Sequence, residues 1–362
     1  MPQRTMDRRS WMKATGLAAL GAGLSACAVP RSRSRLVRPE RSFVIPNISW
    51  DRIIRTSVGL RPYRPSGWRV EAGRYGDKIV IHNYGHGSEG VGMSWGTAHL
   101  AMEEAHKTGH TRFAVAGCGA VGLATARLLQ RQGFKVTIYA KDLPPHTTSN
   151  HAIATFDPQP APGHPDVEVG RISHRYFVDL VGDYYGVRWL EDYTPESEEF
   201  RREREHNGLR DLNHHEILPP GEHPFGPFDV VHSTTINIQP QIYLNALMRD
   251  FRLAGGKIVV RDFANLEALL TLSEPVIMNC TGLGAKALFN DAELIPIKGQ
   301  YMILLPQPEI DYSGPWMTPR NDGLLVGGAT GEFGVWTLEP NEELRRLRMN
   351  LAMEYWGSLK TG

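Results

Sequence analysis

Three cysteines in 362 residues, Cys27, Cys118 and Cys280, are too few for a disulfide framework, and no metal-ligand spacing occurs. The two internal ones sit in motifs that need a small side chain, so they read as free structural thiols. Charge of one sign is also scarce, with a formal net charge of +1. That figure hides an asymmetry: residues 1–41 carry nine Lys/Arg against Asp7 and Glu40, leaving 31 basic and 37 acidic residues beyond. A mildly acidic body gives no electrostatic basis for nucleic-acid binding. With 41% hydrophobic and 22% charged residues, the chain has enough apolar material for one large or two interlocked domains.

Residues 1–27, "MPQRTMDRRSWMKATGLAALGAGLSAC", place Arg8, Arg9 and Lys13 before a weakly apolar Ala/Gly/Leu run. The run is too short and too glycine-rich to span a bilayer as a stable helix. It resembles a twin-arginine export signal, and "LSAC" resembles a lipobox with Cys27 as the acylated residue. The expected location is the cell envelope on the periplasmic side, with possible membrane attachment through Cys27. Residues 28–45 are basic, lack a core-forming period and read as a tether.

The stretch 111–142, "TRFAVAGCGAVGLATARLLQRQGFKVTIYAKD", holds a short apolar strand, Gly117-x-Gly119-x-x-Gly122, an amphipathic helix pattern and a second strand. The first glycine permits a tight turn, the second a close approach to pyrophosphate, and the third close helix–strand packing. Ala120 and Val121 lie in the turn, whose helix N-terminus offers unpaired N–H groups to phosphate. Asp142 follows at the distance where an acid meets a ribose. The glycines do not say which dinucleotide binds.

The order of this fingerprint, "YAKDLPPHTTSN", "VIMNCTGLGAKAL" (276–288) and "PIKGQYMIL" (296–304) resembles the D-amino-acid oxidase family of flavoproteins. The resemblance implies FAD as cofactor, with Lys141 and Asp142 at the ribose and adenosine, Thr147, Thr148 and Ser149 toward the pyrophosphate, and Gly282 near the adenine half. It also implies an α/β Rossmann-type FAD-binding domain interlocked with an antiparallel-sheet (α+β) substrate domain. In "DYSGPWMTPRNDGLLVGG", Tyr312 matches the first of two tyrosines that the family carries over the flavin, and Trp316 stands at the second. An indole N–H only donates, and its bulk would reshape the pocket.

Residues 54–65 and 67–105 resemble the family's C-terminal signature, here placed ahead of the fingerprint. In "GLRPYRP", Arg61 matches the arginine that grips the substrate carboxylate, with Arg64 as the competing position. In "NYGHGSEGVGMSWG", Gly85, Gly87, Glu89 and Gly90 would bring backbone against the flavin, and Ser88 would offer its carbonyl to the substrate amine. His82 and His86 read as structural. The helix that follows would aim its N-terminus at the flavin's electron-rich edge. The block order is therefore that of a circular permutant: 1–27 export signal, 28–45 tether, 46–110 displaced signature, 111–175 Rossmann core, 176–275 mixed substrate and FAD segments, 276–300 returning FAD-domain strand, 301–362 substrate domain and C-terminal helix.

The implied activity is FAD-dependent oxidative deamination of a D-amino acid to a 2-oxo acid, ammonia and hydrogen peroxide, with oxygen as the second substrate and hydride passing to flavin N5. Two alternatives stay open: oxidation of glycine, sarcosine-like or other amines, and a flavin-fold binding protein without turnover. Side-chain specificity and oligomeric state are not legible.

Overall fold

The computed structural model describes residues 43–158, 160, 163–328 and 330–359. The export signal and most of the tether lie outside the described residues. From Val44 onward the chain forms one compact unit.

A six-stranded sheet carries the dinucleotide fingerprint. Its order is β2 (Arg69–Tyr75), β3 (Lys78–Tyr84), β10 (Val276–Asn279), β4 (Arg112–Ala116), β5 (Lys135–Ala140) and β9 (Lys257–Val260). All neighbours are parallel except the β2–β3 hairpin. Both faces are covered, as a parallel sheet requires. Phe113 and Val115 join Ile81, Trp95 and Leu123 in one cluster, while the alternate residues Ala114 and Ala116 join Val80, Leu269 and Ile277 in another. Helices α1 (Ser94–Lys107), α2 (Ala120–Arg131) and α3 (Asp166–Asp179) contribute to the first face. Strand β3, from the 46–110 block, thus completes the sheet that β4, β5 and β10 begin.

A second sheet holds β1 (Ile53–Tyr63), β11 (Ile295–Leu304), β14 (Gly323–Val326) and β13 (Met317–Arg320), with β15 (Glu332–Phe333) beside β11. Every pairing in it is antiparallel, and β1 runs against the whole of β11 with Arg61 opposite Ile297. A third sheet, β12 (Tyr312–Ser313), β6 (Val187–Pro195), β8 (Val230–Ile238) and β7 (His214–Leu218), completes the strands. The remaining helices are α4 (Glu198–Glu205), α5 (Pro240–Leu253), α6 (Leu266–Leu270), α7 (Gly284–Leu288) and α8 (Glu342–Ser358).

Two of the expected segment limits cut through elements. The limit at 175 falls inside α3, and that at 300 falls inside β11, which the antiparallel sheet needs as one continuous strand. The 46–110 block is likewise divided between two sheets, β1 in one and β2–β3 in the other. At the opposite end of the chain, the Arg345 guanidinium of α8 lies 5.5 Å from the Trp50 ring centroid. The Tyr312 hydroxyl donates to the Val44 carbonyl (2.9 Å) while its ring packs 6.2 Å from that of Trp356. The start of the compact unit and both halves of α8 are therefore neighbours.

Among the described residues no helix is long and apolar enough to cross a membrane, and no group of three or more His, Cys, Asp or Glu converges as a metal site.

Candidate active site

A cavity of about 1070 Å³ runs along the C-terminal ends of β4, β10 and β5 and on over the paired strands β1 and β11. At one end it is built from backbone. Gly117 has a φ of +118°, and a Cβ there would stand 2.3 Å from the Cys280 carbonyl oxygen. At Gly122 a Cβ would meet the Gly117 carbonyl oxygen at 2.2 Å. Neither position has room for a side chain, so the turn stays tight and α2 sits close against the sheet. The Ala120 amide, in the first turn of α2, donates to Ser149 Oγ (3.0 Å). That bond ties the Thr147–Ser149 loop to the helix N-terminus. Val121 and Gly119 line the cavity beside it, as do Lys141, Asp142, Thr147, Thr148 and Gly282.

The other end is built from side chains. Arg61, on β1, is half-buried; its Nη1 donates to the Thr330 carbonyl oxygen. The guanidinium lies across Gly299 of β11, where a Cβ would come within 2.6 Å of Nη2. Burial weakens its hold on its proton, and the charges of Glu89 and Tyr301 oppose that shift. Thr330 is itself fixed, since its hydroxyl donates to the Gln300 carbonyl oxygen and accepts from the Gln300 amide. Gly85, Gly87, Ser88, Glu89 and Gly90 line the same cavity, with Ser88 exposed at the rim. The helix after them, α1, starts at Ser94, and Val91 and Gly92 just ahead of it also line the cavity.

A glycine turn that a Cβ would fill, at the N-terminus of a helix and joined to a cavity with a half-buried guanidinium, fits a dinucleotide with a carboxylate beyond it. The profile "DAO: FAD dependent oxidoreductase" matches residues 112–361. The chain belongs to this family. Among its relatives, the D-amino-acid oxidase of Rubrobacter xylanophilus is 31% identical over 248 residues, covering 64% of this chain and 72% of that protein. The D-amino acid oxidase of Dugesia ryukyuensis is 28% identical over 246 residues, covering 63% and 73%. A glycine oxidase structure from Bacillus cereus superposes with a TM-score of 0.55 at 16% identity, over 70% of this chain and 80% of the other, which shows a shared fold.

FAD is accordingly the cofactor of the family to which these residues belong, and the turn 117–122, Lys141, Asp142, Thr147–Ser149 and Gly282 are the residues that would hold it. The profile begins at residue 112, so β1–β3 and α1, which complete both flavoprotein sheets, lie ahead of the matched span.

Other residues singled out in the sequence lie apart from the cavity chemistry or are buried. Arg64 is outside the cavity, bound through Nε to Asp291 Oδ2 at 2.9 Å. His82 is buried between Asn279 and Tyr75, and His86 Nε2 pairs with Thr97 Oγ1 at 2.9 Å. Burial pushes both imidazoles down to about 4, so they are neutral structural groups. Cys118 and Cys280 are free and buried, and burial pushes both thiols up to about 12.

Two expected residues do not reach the cavity. Tyr312 is 1% exposed within an aromatic cluster of Tyr193, Phe225 and Trp356, and its hydroxyl is committed to Val44. Trp316 is a central residue, after Pro315, of a tight turn closed by paired Gly314–Met317 hydrogen bonds, with φ at +65°. That left-handed backbone, usual for glycine at such a position, carries the indole to α8, where the Arg348 guanidinium lies 5.0 Å from its ring. Three tyrosines do line the cavity, Tyr84, Tyr139 and Tyr301; the one whose charge acts on Arg61 is Tyr301, whose hydroxyl accepts from Arg320 Nη1 (2.9 Å). It lies inside "PIKGQYMIL", but nothing in that string marks which strand face looks inward. Asp157 and His151 also line the cavity. His151 Nδ1 is 2.9 Å from Ser57 Oγ, and no motif in the sequence pointed to it.

Proposed function

We propose that this FAD-dependent oxidoreductase oxidises a D-amino acid to the 2-oxo acid, ammonia and hydrogen peroxide. The observation that carries the reading is Arg61: a half-buried guanidinium, seated across Gly299 and opening on the cavity that the dinucleotide turn shares. Its planar fork matches a carboxylate in two bonds, fixing orientation as well as charge. One N–H is spent on Thr330, which locks the plane of the fork before substrate arrives. Glycine at 299 supplies the space. Positioning by these residues converts a bimolecular encounter into an oriented one. FAD, when bound, supplies the two-electron acceptor for the substrate Cα–H bond and the route of those electrons to oxygen.

A second reading, oxidation of glycine, sarcosine-like or other amines, gains support from one feature. Tyr312 and Trp316 lie away from the cavity, leaving Tyr301 as the tyrosine beside Arg61. A peroxide assay of the FAD-loaded protein against D-amino acids, their L-enantiomers and N-methyl amino acids separates the two. Turnover confined to D-enantiomers is expected. Turnover of N-methyl substrates alone would favour the second reading, and peroxide from neither would remove both.

The block order and the leader add two further proposals. Circular permutation is supported by the matched span beginning at 112, by β1–β3 completing the same sheets, and by Val44 and α8 sharing Tyr312 as a neighbour. Delivery to the cell envelope is supported by the Arg8-Arg9 leader and Cys27. Loss of membrane-fraction protein in Cys27→Ala would test the anchor.

A further inference from the structure

Glu89 ends the single turn Gly87–Glu89, which packs against β1 and lines the same cavity as Arg61. Its carboxylate makes no hydrogen bond or close ion pair with any described residue, yet it lies near enough to Arg61 for each to shift the other's titration. Where Arg61 and Glu89 line it, the cavity presents a guanidinium and a carboxylate that no direct ion pair joins, an arrangement complementary to a zwitterion; Asp157, Lys141, Asp142, Arg261 and Asp262 line the same cavity. A carboxylate ligand lacking an ammonium would satisfy Arg61 and leave Glu89 facing a second negative charge.

We propose that Glu89 is the catalytic group that receives the substrate's α-ammonium and takes one of its protons, while Arg61 holds the substrate carboxylate. The inference rests on the amino-acid reading given above. The transfer is balanced: the ammonium N–H bond breaks, the proton moves to a Glu89 oxygen, and the products are a neutral amine and a neutral carboxylic acid. The amine lone pair so freed is what a carbon–nitrogen double bond requires when the Cα–H bond is oxidised.

The surroundings suit this role. Burial, then Asp157, push the Glu89 carboxyl up to about 7, and Arg61 opposes them. An ordinary glutamate, at about 4.3, is a poor acceptor for an ammonium proton at neutral pH, and one near 7 is a better one. The other titratable groups about it are Tyr63, against which Gly87 of the same turn packs, His86 on its own loop and Tyr301 beyond Arg61. His86 is held neutral by burial, and no shift in the two tyrosines is needed for the argument.

The test uses the FAD-loaded protein and its Glu89→Gln and Glu89→Asp variants. Anaerobic flavin reduction by D-alanine, followed in a stopped-flow instrument from pH 5.5 to 9, is expected to fall on the acid side of about pH 7 in the wild type. Glu89→Gln should reduce the limiting rate roughly 100-fold and abolish that limb, with partial rescue by Glu89→Asp. A second readout needs no turnover: titration of propionate, which has the carboxylate and no ammonium, followed by the shift of the flavin band. Wild-type affinity should fall about tenfold per pH unit above the Glu89 midpoint, because binding then requires proton uptake. Glu89→Gln should bind propionate more tightly there and without that dependence, which a merely structural role would not produce. An unchanged rate and acid limb in Glu89→Gln, with D-alanine still reducing the wild-type flavin, would overturn the inference and leave the amino-acid reading standing. Failure of every amino acid to reduce the wild-type flavin would overturn both.

Discussion

The two ends of the cavity are made differently. The dinucleotide end is backbone shaped by glycine: a turn in which Cβ atoms at Gly117 and Gly122 would approach carbonyl oxygens to 2.3 and 2.2 Å. The substrate end is side chains brought together from distant stretches, Arg61 on β1, Tyr301 on β11 and Glu89 on a loop. A backbone site is written in one contiguous string, whereas a side-chain site exists only once strands pair. The first tolerates almost no added atom; the second depends on charge and orientation and should fail by degrees.

The largest effect is expected at the backbone end. Gly122→Ala forces a methyl group into the Gly117 carbonyl, so the purified variant should carry no visible flavin bands, and FAD titration should show affinity reduced by roughly 100-fold or more. A variant that retained bound FAD would show the turn to be more yielding than its contacts imply. Next comes Arg61→Ala, which should leave FAD bound while removing the carboxylate pairing. Loss of such a charge-assisted contact is worth on the order of 2–5 kcal/mol, read as a rise in KM for a D-amino acid. An unchanged KM would discard the role. Gly299→Ala tests the same end more gently. Its methyl group would displace the guanidinium tip, raising KM about tenfold, a cost of about 1.4 kcal/mol, with the flavin spectrum intact. The smallest effect is expected for Trp316→Phe. Its ring contacts Arg348 on α8 and does not line the cavity, so kcat/KM should change less than about twofold, as for a surface substitution. A large loss of activity there would put the indole back in the site.

The same contrast explains what could be read before the fold was known. Gly117-x-Gly119-x-x-Gly122, with a strand before and a helix after, places its own ligand because the geometry is local. Arg61 was legible for a different reason: "GLRPYRP" resembles a family string, and β1 and β11 then seat that arginine over Gly299. Tyr312 matched the family's first tyrosine and Trp316 stood in place of its second, yet both went elsewhere. The local cause is the turn at Pro315-Trp316, whose left-handed backbone at Trp316 points the indole toward α8, while Tyr312 is taken up by Val44 and the Phe225–Trp356 cluster. Neither cause can be read without the third sheet and α8 in place. Tyr301 was invisible for a related reason, since strand alternation says that one face is inward but not which side chain meets a cavity, and Asp157 lies in a loop with no pattern at all. Glu89 read only as part of the glycine-rich loop against the flavin; its place beside Arg61 in the cavity lining gives its carboxylate a chemical use.

The central claim is that one cavity joins an FAD site to an amino-acid site. It is tested most directly by the visible absorption spectrum of the purified protein, recorded before and after anaerobic addition of D-alanine. The account predicts flavin bands that bleach on addition. Flavin bands that persist through D-alanine and a panel of other D-amino acids would contradict it, and a purified protein with no flavin bands even after incubation with FAD would contradict it at its first step.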